Sequence, residues 1–209
     1  MIDDRRPLLL GSGSPRRREI LTTLGLPLRV LPAVVDESAL PGEGPVDYLS
    51  RIADNKLKAV AALEAARDAG AILVADTTVI VEGRILGKPA DLAEARAMLR
   101  ALSGRAHQVS TRFAIASPDE PARAIHAETV SSTVIFRPLE GDEIDAYAAT
   151  GEGLDKAGGY AIQGIGAFAV ARVEGSYANI VGLPVCEVIL ALRATGLLPR
   201  FPVERARAA

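Results

Sequence analysis

Short apolar runs alternate along the chain with longer stretches in which apolar positions recur every three or four residues. Those two periods separate strands from amphipathic helices. Leu8-Leu9-Leu10 makes a short buried strand, Gly11 to Ser14 a loop, and Ser14 with Pro15 gives the N-cap and first-turn signal of a helix running to about Leu24. Pro27 to Ala33 reads as a second strand. After the Pro/Gly-rich loop Leu40 to Pro45, a long helix is predicted from Asp47 to about Asp68, with Tyr48, Leu49, Ile52, Leu57, Val60 and Leu63 at helical spacing. Lys56 and Lys58 sit on it, where a solvated face is the ordinary place for a lysine. Ala71 to Ala75 reads as an apolar strand ending at Asp76-Thr77-Thr78, and Val79 to Leu86 as a strand, a tight Glu82-Gly83 turn and a return.

Further on, the amphipathic helix Leu92 to Leu102 is stopped by Ser103-Gly104, and Ala106 to Ala116 with Glu128 to Arg137 reads as an antiparallel pair. Glu140 to Ala149 is a short helix, Leu154 to Gly166 a glycine-rich stretch, Ala167 to Val173 a strand and Pro184 to Thr195 a closing helix. The Arg- and Ala-rich tail from Pro199 is expected to fray. Strand-helix units joined to an antiparallel pair predict an α/β fold with a mixed sheet.

Composition changes this picture in a few places. A chain of 209 residues can bury a substantial core. Its net charge of -2 argues against a general nucleic-acid binder, so any anion site must be local. The single cysteine, Cys186, excludes an internal disulfide and a multi-cysteine zinc site, and its apolar neighbours predict a buried structural thiol. His107 and His126 alone leave little material for Ser-His-Asp or histidine-zinc chemistry. Met1 to Pro7 lacks the order of a signal peptide, and no apolar run reaches the length of a membrane span, so a cytoplasmic protein is expected.

The loop and helix start at Gly11 to Arg18 suit an anion, because free N–H groups and the positive end of the helix dipole meet there. Arg16, Arg17 and Arg18 would oppose that dipole by roughly 0.3–1 kcal/mol each when exposed, where a helix built only for stability would carry Asp or Glu. Three arginines behind Gly-Ser-Gly-Ser therefore read as an anion grip, although the stretch is neither a Walker A loop nor a G-x-G-x-x-G fingerprint. Glu37, Lys56, Asp76, Thr77, Lys88, Asp155, Lys156 and Gln163 add polar groups at strand ends and loop starts, where α/β sheets bind ligands. Cations of this kind neutralise phosphate oxygens, while carboxylates such as Glu37 and Asp76 can hold Mg²⁺ or activate water. Asp76 stands out, since a charge at the end of an apolar strand is costly if idle. Arg112 and Arg172 read as solvated strand ends.

Ser12-Gly13-Ser14-Pro15-Arg16-Arg17, Asp36-Glu37, Asn55-Lys56, Ala75-Asp76-Thr77, Gly87-Lys88-Pro89, Asp155 to Gly164, Gly175-Ser176-Tyr177 and Gly182-Leu183-Pro184 together resemble the Maf family of nucleoside triphosphate pyrophosphatases. The resemblance runs in order from Leu8 to about Leu198. It implies a single elongated, inosine-triphosphatase-like α/β domain over residues 1–198, with a mixed sheet and two lobes around a cleft, followed by a tail over 199–209. It also implies hydrolysis of a nucleoside triphosphate between the α and β phosphates with Mg²⁺ or Mn²⁺; charge and hydropathy predict no nucleic-acid or membrane partner, and a homodimer stays open. By the same carry-over Asp76 is the proton acceptor for water, Arg17, Lys56 and Lys88 grip phosphates with Ser12, Ser14, Asp155 and Lys156 beside them, and Glu37 and Asp76 hold metal.

Arg16, Thr77 and Gln163 match positions that separate subgroups of the family, and their combination resembles the subgroup acting on dTTP and UTP. The chemistry of Gln163 agrees: an amide can pair with N3–H and O4 of thymine or uracil, although by flipping it could serve cytosine. Two rival readings stay open at this level. One is a nucleotide-sensing regulator of cell division without turnover, which would not need Asp76. The other is a pyrophosphatase for modified purine triphosphates, which would differ only in the base pocket.

Overall fold

The computed structural model describes residues 1–200, so the predicted tail falls from residue 201 onward outside the described residues. In chain order the elements are β1 (Leu8–Leu10), α1 (Pro15–Thr23), β2 (Leu28–Val30), α2 (Pro45–Ala61), β3 (Ala71–Val81), β4 (Arg84–Leu86) and α3 (Leu92–Leu102). They continue with β5 (Ala106–Ala116), β6 (Ala124–Phe136), α4 (Gly141–Ala149), β7 (Val170–Glu174), α5 (Tyr177–Val181) and α6 (Val185–Ala194). The expected mixed α/β fold is present: seven strands form one sheet in the order β2-β1-β3-β5-β6-β7, with β4 paired to the end of β3. β2, β1 and β3 run parallel, and every other pairing is antiparallel.

The first half of the sheet is buried on both faces, which is why β1 and the start of β3 are apolar throughout. On one face Leu8, Leu10, Leu73, Ala75 and Phe113 pack with Leu21 of α1 and with Val188 and Leu192 of α6. On the other face Leu9, Ile72, Val74 and Ala114 pack under Leu57 and Val60 of α2. That packing is close enough to dictate Gly11, where an added Cβ would stand 2.5 Å from a Val60 methyl and 2.8 Å from a Val74 methyl. The second half has its own core, in which Val79, Val81, Val109, Val134 and Phe136 meet Leu99 and Leu102 of α3, Ile144 and Tyr147 of α4, and Tyr160. Strands β3, β5 and β6 run through both halves.

Several expectations need correction. β3 does not stop at Asp76: it continues unbroken to Val81, because Thr77 and Thr78 are β-branched and suit a strand as well as an apolar residue does. α2 ends at Ala61 rather than near Asp68, with Leu63 in an extended conformation and a 3-10 turn over Glu64–Ala66. β6 begins earlier than predicted, pairing with the end of β5 through a bulge at Ile115/Ala116, and β7 begins later, after a 3-10 turn over Ile165–Ala169. Cys186 is exposed, not buried. It lies two positions from Val188 on α6, and a two-residue step on a helix leads to the opposite side. Arg112 is not a strand end: it stands mid-way along β5, donating from Nη1 to Thr129 Oγ1 at 3.1 Å. Arg172 is exposed and pairs with Glu174.

Candidate active site

The site begins as a gap in hydrogen bonding along one edge of β3. Parallel β1 pairs with that strand only as far as Leu10↔Leu73, and β4 takes over only from Val79↔Leu86. Between them, residues 74 to 78 face no neighbouring strand on that side. β1 also lies between β2 and β3 while α1 and α2 cover opposite faces, so the gap opens beside the carboxyl end of β1 at the place where the connections diverge. Sheets of this type bind ligands there. A cleft of about 630 Å³ lies over the gap, and every site residue named from the sequence lines it. The three arginines of α1 part company: Arg16 faces the cleft, Arg17 is buried and Arg18 is exposed outside it.

Arg17 fills the edge that β1 leaves open. Its Nη1 donates to the Ala75 carbonyl at 2.9 Å and to Ser12 Oγ at 2.9 Å, its Nη2 to Thr77 Oγ1 at 2.8 Å, and its Nε to the Gly182 carbonyl at 2.7 Å. Burial pushes the guanidinium pKa down, with Asp76 and Glu37 acting in the opposite sense. Four of its five N–H donors are thus engaged within the chain. Thr77, on the α1 face of β3, also shares a 2.8 Å hydrogen bond with Thr111 Oγ1. Ser14 caps α1, and Ser12 Oγ further accepts from the Ser14 N–H at 3.3 Å.

Asp76 points the other way, toward α2, where Lys56 Nζ lies 2.6 Å from its Oδ1. Lys56 is only 6% exposed, so the solvated-face reading does not hold for it, whereas Lys58 is exposed. The same Nζ lies 2.7 Å from Glu37 Oε1, and Lys88 Nζ lies 3.0 Å from Glu37 Oε2. Lys88, Glu37, Lys56 and Asp76 therefore form one chain of alternating charge from the rim to the floor. Burial opposes ionisation of Glu37, but hydrogen bonds and charge from Lys56 and Lys88 outweigh it and hold the carboxyl at about 2. Tyr48 steadies this loop by donating its hydroxyl to the Glu37 carbonyl at 3.1 Å. Sequence reasoning placed Tyr48 only in the core stripe of α2, and nothing local announces the contact.

The opposite wall is built from the glycine-rich stretch. Lys156 donates to the Glu152 carbonyl at 3.1 Å and pairs with Asp155, which is exposed. Gln163 is exposed on the cleft wall in the turn closed by Gly164 N–H to the Ala161 carbonyl at 3.3 Å. Glu152 and Tyr147, both missed by the sequence reading, hold that turn from behind. The available signal was Glu152 standing between two glycines in the turn that follows α4.

A cleft that sets cations and a helix start beside two carboxylates, on the edge of a mixed sheet, is that of an α/β protein equipped to hold a polyanion. The chain belongs to the Maf family: the family model described as Maf-like protein matches residues 7–195. A dTTP/UTP pyrophosphatase of Geobacter sp. (strain M21) is 48% identical over 191 residues, which cover 91% of this chain and 96% of that protein. Another protein of that name from Hahella chejuensis is 48% identical over 195 residues, 92% of this chain and 94% of its own. Among solved structures, a nucleoside-triphosphatase / dITP/XTP pyrophosphatase from Mycobacterium abscessus aligns over 91% of this chain and 95% of its own at 14% identity, with a TM-score of 0.40.

Proposed function

We propose that this chain hydrolyses nucleoside triphosphates, dTTP and UTP foremost, between the α and β phosphates to give the monophosphate and pyrophosphate. The observation that carries the reading is Asp76, a buried carboxylate on the open edge of β3 held at 2.6 Å by a buried lysine. A carboxylate buried in such a place is costly unless it is partnered, and its partner here is a lysine that opens onto the same cleft. In this reading Asp76 accepts the proton of the attacking water, and Lys56 and Lys88 turn from their carboxylate partners to phosphate oxygens. The Ser12 to Arg16 segment, Asp155 and Lys156 line the path of the triphosphate. Arg16, Thr77 and Gln163 set the choice of base, with Gln163 offering its amide to the N3–H and O4 edge. The family membership and the names of the similar proteins support the same substrates.

Glu37 and Asp76 would hold a divalent cation, Mg²⁺ or Mn²⁺. Their oxygens already converge on the single ammonium of Lys56, and Mg²⁺ commonly takes one or two carboxylates with phosphate and water completing its shell. Among the described residues no group of three or more His, Cys, Asp and Glu could hold an ion alone. Such a cation, when bound, neutralises charge developing on phosphate oxygens. No helix among the described residues is long and apolar enough to cross a membrane, and the reading implies work on the cytoplasmic nucleotide pool.

The test is to incubate the purified protein with UTP and Mg²⁺ and quantify the products. Equimolar UMP and pyrophosphate are expected. Orthophosphate release, or UTP binding without turnover, would contradict the proposal.

A further inference from the structure

We infer that Tyr147 and Glu152 form a clasp that sets the base preference of the cleft by fixing the turn carrying Gln163. The inference rests on the proposed reading that Gln163 contacts the base. Tyr147 Oη accepts the Ala161 N–H at 3.1 Å and donates to Glu152 Oε2 at 2.9 Å. Glu152 in turn accepts the Ile165 N–H on Oε1 and the Gly166 N–H on Oε2, both at 2.9 Å. Two linked side chains thus hold the backbone on both sides of Gln163, two residues before it and two and three residues after it. Burial of Glu152 opposes its ionisation, but the Gly166 and Ile165 N–H groups and the Tyr147 hydroxyl outweigh it and lower its pKa, so the clasp is charged at neutral pH.

Two glycines carry the mark of this arrangement. A Cβ on residue 164 would stand 2.0 Å from Glu152 Oε1, and one on residue 166 would stand 2.7 Å from Tyr147 Oη and 2.8 Å from the Ala161 carbonyl oxygen. Neither glycine has a positive φ, so backbone conformation does not require them. Close approach does: residue 166 is hemmed in by the Tyr147 hydroxyl and the Ala161 carbonyl, and a Cβ on residue 164 would push the Glu152 carboxylate off the N–H groups it holds. Gln163 itself is exposed, and a side chain of its length selects a base only if its backbone is held, since a free amide could turn to suit cytosine as readily as uracil. Tyr147 is anchored for this task in the second core, against Ile144, Ala148 and Phe168. Tyr147 and Glu152 are positioning residues: they act through Gln163.

The test measures the ratio of kcat/KM for UTP to that for CTP in the wild-type chain, Tyr147→Phe, Gln163→Leu and the double variant. Tyr147→Phe keeps the ring and its packing but removes the hydroxyl from both bonds. It is expected to lower the UTP:CTP ratio by about tenfold through KM, and to add little once Gln163 is leucine. Glu152→Gln, which keeps the shape and removes the charge, should act in the same direction and serves if Tyr147→Phe does not fold. A ratio unchanged in the folded variant, or a Tyr147→Phe effect equally large in the Gln163→Leu background, would overturn the clasp. A wild-type chain with no preference for UTP, or one whose preference survives Gln163→Leu, would instead overturn the base-reading assignment.

Discussion

The two walls of the cleft are held by opposite means. On the side of β3 and α2, charged side chains bind one another: Lys56 bridges Asp76 and Glu37, and Arg17 is locked by four hydrogen bonds. On the side of Gln163, a short exposed turn is held through backbone N–H groups by two side chains behind it. Buried charges leave no cheap way to lose a partner, whereas a turn held through its backbone leaves the residue at its tip free to vary. The first construction suits chemistry common to all nucleoside triphosphates, and the second suits a choice among bases.

That contrast makes predictions that differ in size. Asp76→Asn should lower kcat by roughly 10²- to 10⁴-fold, the usual worth of a positioned general base, for every triphosphate alike. Pyrophosphate release with UTP and CTP checks it, with circular dichroism to verify the fold. Lys56→Ala should destabilise the protein by about 3–5 kcal/mol by leaving the buried Asp76 without its cation, while Glu37 keeps Lys88, and should raise KM for all triphosphates. Urea unfolding and a substrate panel measure the two effects, and selective damage to one base would break the comparison.

Acidification should separate the walls without mutation. His107 shares a 2.9 Å hydrogen bond with Tyr160, which lines the cleft just before the Gln163 turn, and burial pushes its pKa down to about 4. Unfolded, the histidine takes its proton near 6.5, so between those values the unfolded chain binds more protons and stability falls as the pH drops. The loss amounts to roughly 3 kcal/mol between pH 6.5 and 4. Glu37, held at about 2, begins to cost stability only below its ordinary 4.5. Unfolding free energies at pH 7 and 5 should differ in the wild-type chain and much less in His107→Gln. Smallest in energy is Gln163→Leu, expected to reduce kcat/KM for dTTP and UTP by about 5- to 150-fold by leaving an imide edge unpaired, roughly 1–3 kcal/mol per group.

Much of this was legible in the chain. The period of the apolar positions marks the strands and helices, and the order of polar segments gathers the residues from Ser12 to Gln163 that line one cleft. What was not legible depends on distant partners. Lys56 looks like any helix lysine until Asp76, 20 positions away, is seen to bury it. Asp76 looked like a strand end because the apolar run stops there, yet the strand goes on where its neighbour β1 does not. Arg17 reads as a phosphate grip from its place in a basic cluster, while its engagement with Gly182, 165 positions away, follows only from the folded chain. Beyond Glu152 standing between two glycines, the clasp is not legible, because the steric need for Gly164 and Gly166 arises only once Glu152, Tyr147 and the Ala161 carbonyl are brought against them.

The division of labour is tested most directly by kcat/KM for UTP and CTP in the wild-type chain, Asp76→Asn and Gln163→Leu, measured side by side. Asp76→Asn should lower both values by the same factor and keep their ratio, while Gln163→Leu should collapse the ratio toward one. A ratio that shifts in Asp76→Asn, or that survives in Gln163→Leu, would contradict the account.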